Sequence, residues 1–205
     1  MPAGPSEVAV IADETAVSQF VAADLLSQAE HGSDSQVVLI CTSNTKIREI
    51  ENELNEALKV LPRKEIASKA LENSFVIKVS DVSQGVDVAN QYAPEHLILA
   101  VDEPELVVEQ IVNAGSVFLG HFTPESAGDY ASGTNHTLPT NGAARAFSGV
   151  NMDAFYKKIT FQQLSSVGVV SIGNAVVTMA QNEQLKAHAN AMQVRLDFLE
   201  RKQQS

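Results

Sequence analysis

The sequence predicts an α/β fold with a mostly parallel sheet, followed by a small helical C-terminal region. Short apolar runs rich in Val, Ile and Leu alternate with helical patterns between Glu7 and Gly120. The apolar residues of those helical stretches recur at spacings of three and four. After Val150 no further strand-like run follows and helical patterns dominate. We therefore expect an incomplete, Rossmann-like α/β domain over residues 1–150 and a helical region over residues 151–205.

Five strands are predicted from the apolar runs. They are Val8 to Ala12, Val37 to Cys41, Phe75 to Val79, Leu97 to Val101 and Val117 to Leu119. Cap residues, Gly and Pro delimit the helices between them. These are predicted from Val17 to a stop at Gly32, over Ile47 to Leu61 and Lys64 to Glu72, from Ser80 and Asp81 onward, and from Asp102 to Gly115; helical pieces follow at Phe161 to Gln163, Ser171 to Ala180 and Glu183 to Lys202.

Composition excludes several classes of protein. A net charge of -11 and a pI near 4.8 argue against nucleic acid and anionic membranes as partners, because both attract basic surfaces. Cys41 is the single cysteine and lies in an apolar run, which favours a buried, inert thiol in a reducing compartment such as the cytoplasm. The first strand begins after only six residues, and we expect the chain to be the later part of a longer protein.

Polar segments that follow strands are the first candidates for chemistry, because parallel sheets usually bind ligands beyond the carboxyl ends of their strands. Thr123 to Thr140 contains two Gly, two Pro, an acid and a histidine, with almost no large aliphatic residues. We expect an ordered functional loop there, and disorder is the alternative.

Two pairs of side chains suggest a site. Gln28 and His31 are three residues apart at the end of a predicted helix, although a histidine near a helix C-terminus also complements the helix dipole. Glu95 and His96 lie between Pro94 and an apolar strand, and this proline is expected to keep Ala93 extended. Glu and His are the usual materials of acid–base catalysis, but both are also ordinary in an exposed turn.

The remaining histidines are less specific. Asp129 and His136 are seven residues apart and suit either a metal or a substrate. His188 lies on the apolar stripe of the last helix, where a core or interface histidine is the simpler interpretation, and His121 is treated as structural. The residues alone support a metal or acid–base site and go no further.

Four blocks of sequence together resemble the C-terminal half of the histidinol dehydrogenase family. They are Pro-Ala-Gly-Pro-Ser-Glu at 2–7, Asp-Leu-Leu-Ser-Gln-Ala-Glu-His-Gly at 24–32, Asn-Gln-Tyr-Ala-Pro-Glu-His-Leu at 90–97, and Pro-Glu-Ser-Ala-Gly-Asp-Tyr-Ala-Ser-Gly-Thr-Asn-His-Thr-Leu-Pro-Thr at 124–140. One departure is Pro-Thr-Asn-Gly-Ala at 139–143, where family members often carry Pro-Thr-Tyr-Gly-Tyr. The similarity runs to about Lys202.

The resemblance implies a zinc-dependent, NAD-linked oxidation of L-histidinol through the aldehyde to L-histidine. It implies that His96 is the base of the first oxidation and that Glu95 activates water for the second. Zinc ligands would be Gln28, His31, Asp129 and His188, and substrate contacts would be Ser6, His136 and Glu183. No NAD contacts are expected within this chain, because they belong to the N-terminal half of the family.

The resemblance further implies a homodimer in which the C-terminal helical region crosses to the neighbouring subunit. Glu183 and His188 would then serve the neighbour's site. We expect the chain to be inactive without the N-terminal half. Two alternatives stay open at this point: a non-catalytic metal-binding dimerisation module or truncated gene product, and a zinc hydrolase that uses Glu95 without NAD.

Overall fold

The computed structural model describes residues 4–203, with side chains through residue 202. Its sheet has five parallel strands in the order β3-β2-β1-β4-β5, which confirms the predicted α/β class and Rossmann-like arrangement. The strands are β1 Glu7–Ala12, β2 Gln36–Cys41, β3 Phe75–Lys78, β4 His96–Ala100 and β5 Ser116–Leu119. Each begins and ends within one residue of its predicted position, because short apolar runs rich in Val, Ile and Leu are a clear signal of parallel strands.

Helices cover both faces of this sheet and bury alternate strand residues. Val8, Val10 and Ala12 of β1 belong to a core that also contains apolar residues of three helices. Ala9 and Ile11 point to the other face and into a second core. The helices of the first unit are α1 Ser18–Ala29, α2 Asn44–Val60, α3 Lys64–Glu72, α4 Val82–Tyr92 and α5 Glu125–Tyr130. Cys41 is fully buried, as predicted.

Two predictions about local structure are wrong in the first unit. The expected helix from Asp102 to Gly115 is replaced by two 3-10 segments, Pro104–Leu106 and Val108–Gln110. The Asn90 side chain accepts hydrogen bonds from the backbone N–H groups of Val112 and Asn113, which draws this stretch out of a helix. The segment 123–140 is also not entirely loop, since it begins with the short helix α5.

A second compact unit follows, with the boundary between Tyr156 and Lys157. It consists of two helices, α6 Ser166–Asn182 and α7 Lys186–Gln203. The predicted helical turn at Phe161 to Gln163 is absent, because α6 begins only after Ser165, whose hydroxyl caps it by accepting from the Gly168 N–H. None of the described helices has the length and apolar character that crossing a membrane requires.

Asp24 offers a test of how this fold responds to pH. It lies on α1 in a cleft lined largely by apolar and aromatic groups, including Phe20 and Phe122, and burial raises the pKa of its carboxyl group to about 7. The folded chain therefore binds more protons here than the unfolded chain between about pH 4 and 7, and stability falls as the pH rises through this window.

Asp24→Asn removes this destabilising charge. We expect no gain at pH 4 and a gain of about 1–2 kcal/mol in the free energy of unfolding at pH 8, measured by urea denaturation. Asp87→Asn, at an exposed position of α4, is the control for loss of one negative charge. An equal gain for both variants at pH 8 would contradict the burial argument.

Candidate active site

The candidate site lies at the amino edge of the sheet, which corrects the expectation that chemistry would follow the strands. Glu7 is the first residue of β1 and His96 is the first residue of β4, and the register pairs Val8 with His96. Helix α1 returns from the carboxyl edge to the amino edge, so its last turn brings Gln28 to the same place. In a βαβ unit the first residues of the strands and the last turn of the helix lie at the same edge of the sheet, so these side chains surround one point.

Glu7 holds the predicted catalytic pair through its backbone. Its N–H donates to Glu95 Oε2 at 3.0 Å, and its carbonyl oxygen lies 3.1 Å from His96 Nδ1. Glu95 and His96 are both buried, and His96 Nδ1 is 3.6 Å from Glu95 Oε2. Burial raises the pKa of Glu95 to about 7. The hydrogen bond from the Glu7 N–H opposes this rise, and the nearby charges of Glu7 and Asp129 add to it.

The Glu7 carbonyl also decides the tautomer of His96. A carbonyl oxygen only accepts hydrogen bonds, so Nδ1 carries the hydrogen and Nε2 keeps its lone pair. Nε2 is buried without a hydrogen-bond partner among the described residues, and Asp129 Oδ1 lies 3.9 Å away. Burial lowers the pKa of His96, which keeps the ring neutral and its Nε2 available as a base.

The approach to this pair differs from the prediction at Ala93. Ala93 is not extended but left-handed, with φ 57° and ψ 62°, and its N–H caps α4 by donating to the Ala89 carbonyl at 2.7 Å. A left-handed residue after the last turn is a common way to end a helix, and at an alanine it costs about 1 kcal/mol or more. The tightly buried turn compensates for this strain and presents Glu95 at a defined angle.

Helix α5 supplies two carboxylates to the site. Glu125 and Asp129 are four residues apart and therefore lie on one face of α5. Atoms of His96, Glu125 and Asp129 lie within 4.8 Å of one another, close enough to hold a metal ion. Burial raises the pKa of Glu125 to about 8, and nearby carboxylates reinforce this rise.

Gln28 is fully buried against Glu125. With its amide nitrogen facing Glu125, that nitrogen donates to the two carboxylate oxygens at 2.7 and 3.0 Å. The donors and acceptors here suit zinc, which takes imidazole nitrogen and carboxylate or amide oxygen. The group of three residues shares only Asp129 with the ligand set that the resemblance implies, which is Gln28, His31, Asp129 and His188.

The structure brings some of the predicted residues together and leaves others apart. His31 and His136, both exposed, are near enough to His96 to add to the lowering of its pKa. Ser6 is half-buried next to Glu7. Glu183 and His188 belong to the second unit, where Glu183 follows α6 and His188 lies exposed on α7, and their roles stay predictions.

Sequence reasoning missed Glu7 and Glu125. Glu125 would have been found if 125–130 had been taken as a helix, because its spacing to Asp129 places both on one face. Glu7 had a weaker signal, an acid at the start of a buried strand beside Ser6. The side chain of Glu7 accepts a hydrogen bond from the Asn141 N–H at 2.8 Å, which holds the segment after Thr140 at the amino edge of the sheet.

The carboxyl edge of the sheet is less suited to a dinucleotide. Asp13 and Glu14 follow β1 where a pyrophosphate would need glycines and backbone N–H groups. His121 also lies at this edge and has a partner that the sequence did not reveal, since its Nε2 is 2.9 Å from Asp102 Oδ1. The residues of this chain therefore do not fit NAD at the place where the sheet order would put it.

A Rossmann-like sheet with a buried acid–imidazole cluster defines a protein built for acid–base or metal-assisted chemistry. Residues 1–196 match the family profile described as histidinol dehydrogenase, and the chain belongs to this family. It is 59% identical over 199 residues to histidinol dehydrogenase of Bacteroides thetaiotaomicron, covering 97% of this chain and 46% of that protein.

Two further relatives are also covered only in part. The chain is 52% identical over 200 residues to the histidine biosynthesis trifunctional protein of Candida albicans, covering 96% of this chain and 24% of that protein. Against the crystal structure of histidinol dehydrogenase from Elizabethkingia anophelis the TM-score is 0.86 at 55% identity, covering 98% of this chain and 46% of that one. The chain thus spans about half the length of the histidinol dehydrogenases it matches.

Proposed function

We propose that this chain contributes the acid–base and metal-binding half of a histidinol dehydrogenase, which oxidises L-histidinol to L-histidine in two NAD-linked steps. The observation that carries the proposal is the buried Glu95–His96 pair, in which His96 Nε2 has no hydrogen-bond partner among the described residues and lies 3.9 Å from Asp129 Oδ1. Family membership supports the reaction, and the location of the enzyme in the cytoplasm remains part of the proposal.

In this proposal His96 and Glu95 divide two proton transfers. His96 Nε2 accepts the alcohol proton of L-histidinol in the first oxidation, and its lowered pKa leaves the nitrogen unprotonated at neutral pH. Glu95 takes a proton from the water that attacks the aldehyde before the second oxidation. Its pKa of about 7 suits a group that must both accept and release a proton near neutral pH.

Zinc would be held by Gln28, His31 and Asp129 together with His188, and when bound it would orient the substrate and polarise its oxygen. Ser6, His136 and Glu183 would contact the substrate. The hydride acceptor NAD would be bound by polypeptide outside this chain, since the carboxyl edge presents acids and no glycine fingerprint.

The second unit is proposed to be a dimerisation region whose Glu183 and His188 complete the site of a neighbouring subunit. Two helices bury little of their own apolar surface, and Val167, Met179 and Phe198 are among the side chains left exposed. A partner surface would cover such residues. Light scattering of the chain in solution measures this association directly.

The test of the proposed function is NADH formation from L-histidinol with zinc, on the chain alone and with the N-terminal half supplied. We expect no turnover by the chain alone and turnover after complementation, because only the acid–base half is present here. Turnover by the chain alone would overturn the assignment of NAD to the other half. If neither sample forms NADH although the protein is folded and zinc-loaded, the result would favour a non-catalytic module.

A further inference from the structure

The contact between Gln28 and Glu125 is unusual in its burial and its polarity. The exposed fractions of the two residues are 0% and 2%, and they meet where the end of α1 faces the start of α5. The Gln28 amide has two chemically different ends, and only its nitrogen can donate to the carboxylate. The reverse orientation would set the amide oxygen against both carboxylate oxygens, which only a protonated Glu125 tolerates, so the orientation with the nitrogen toward Glu125 is that of the ionised carboxylate that a bound cation favours.

Glu125 is therefore engaged on both of its oxygens. With the amide nitrogen turned toward Glu125, they lie 2.7 and 3.0 Å from that nitrogen, and the ionised carboxylate accepts from it. The Gln28 oxygen then points away from Glu125, toward a position where a donor or a cation would be accepted. Glu125 also lies within reach of His96 and Asp129, so direct metal ligation by Glu125 is the competing interpretation.

We propose that Glu125 is a positioning residue that orients the Gln28 amide, so that the Gln28 oxygen is presented to the metal. The inference rests on the proposed function, in which Gln28 is a zinc ligand. Groups that hydrogen-bond to metal ligands commonly fix their orientation and set metal affinity. Here α5 would supply one ligand, Asp129, and orient a second one on α1.

The packing of α5 gives this arrangement its rigidity. Gly128 lies between Glu125 and Asp129, and a Cβ built on it would come within 2.6 Å of the Phe118 ring on β5. The helix therefore sits directly on the sheet, with Phe118 in turn stacked near His96 at a ring separation of 6.0 Å. A rigidly docked α5 can hold the Glu125 carboxylate in place.

The first test measures zinc affinity of the chain by competition with a chromogenic chelator. We expect Glu125→Ala to weaken zinc binding about 10- to 100-fold. Glu125→Gln keeps the shape of the side chain, but a second amide can hydrogen-bond to Gln28 in either orientation. We therefore expect a smaller loss of zinc affinity, about 2- to 10-fold. Glu51→Ala, at an exposed position of α2, is the control and should leave affinity unchanged.

A double-mutant cycle separates positioning from ligation. If Glu125 acts through Gln28, Glu125→Ala in a Gln28→Ala background should change zinc affinity by less than about twofold, because the oriented group is already gone. An undiminished loss in that background would show that Glu125 binds the metal independently and would overturn the proposal. The Co²⁺-substituted protein provides a second readout, because its visible spectrum reports a change of ligand field.

A metal-free measurement keeps the inference distinct from the proposed function. The side-chain amide hydrogens of Gln28 should exchange slowly in the zinc-free chain and at least about tenfold faster in Glu125→Ala, since the hydrogen bonds are lost. Failure of the unaltered chain to bind zinc would contradict both the proposed metal site and the inference that rests on it. Zinc binding that is unaltered by Glu125→Ala would sink only the inference.

Discussion

His96→Asn is expected to lower kcat for L-histidinol oxidation about 10³-fold in the enzyme reconstituted from this chain and the N-terminal half. In the proposed mechanism this variant removes the nitrogen that takes the alcohol proton. Asparagine has a similar size and polarity but no basic lone pair near neutral pH. Because the Glu7 carbonyl needs only a donor, the Asn side chain can preserve that hydrogen bond, and zinc affinity should change little.

The pH profile and a matched histidine make this prediction specific. Burial holds the pKa of His96 below the ordinary value of histidine, so the unaltered enzyme should lose kcat as the pH falls through that lowered pKa, and the variant should lack this limb. His121→Asn removes another histidine that contacts an aspartate, at the opposite edge of the sheet, and should keep activity within about twofold. Equal losses in the two variants would show that the effect is one of folding.

Gly115→Ala is expected to destabilise the chain by about 2–3 kcal/mol. A Cβ at Gly115 would lie 2.5 Å from the Glu95 carbonyl oxygen and 3.2 Å from Leu138 Cβ. The first neighbour is backbone and cannot swing away. Relief of the clash must move the start of β5 away from Pro94 and Glu95, where Gly115 and Ser116 donate their N–H groups at 2.9 Å.

Urea denaturation of the isolated chain measures the loss. Gly168→Ala is the matched control, because a Cβ there meets only ordinary contacts at 3.5 Å and alanine favours the helix, so stability should stay level or rise by about 0.5–1 kcal/mol. In the reconstituted enzyme Gly115→Ala should also lower activity, since Glu95 moves with its carbonyl. Unchanged stability in Gly115→Ala would contradict the prediction, because the start of β5 would then move away from Glu95 with little loss of free energy.

Much of the fold was predictable from local pattern. The strands were placed within one residue, because continuous Val, Ile and Leu runs are nearly unambiguous in a parallel sheet. The stretch from Asp102 to Gly115 was not, since its cap residues, Pro104 and Gly115 suited a helix while hydrogen bonds to Asn90, distant in sequence, break that helix. Long-range hydrogen bonds of this kind leave no local signature.

The candidate site divides in the same way. Glu95 with His96, Gln28 with His31, and Asp129 could be singled out from residue type, spacing and resemblance. Glu125 was missed because a loop is predicted over 125–130, and its contact with Gln28 depends on a helix end and a helix start that meet in space. Ala93 was misjudged because the preference of a residue before proline yielded to the need to end α4.

By itself the sequence determined the alternation of strands and helices, the family, and which chemical groups are available. Only the tertiary structure decided that these groups meet at the amino edge of the sheet, that His96 keeps its lone pair on Nε2, and that Gln28 and Glu125 are buried against each other. Periodicity and burial preference are local properties of a chain. The location of the site, the tautomer of His96 and the orientation of the Gln28 amide depend instead on partners far apart in sequence. Glu7 contacts His96, and Gln28 contacts Glu125.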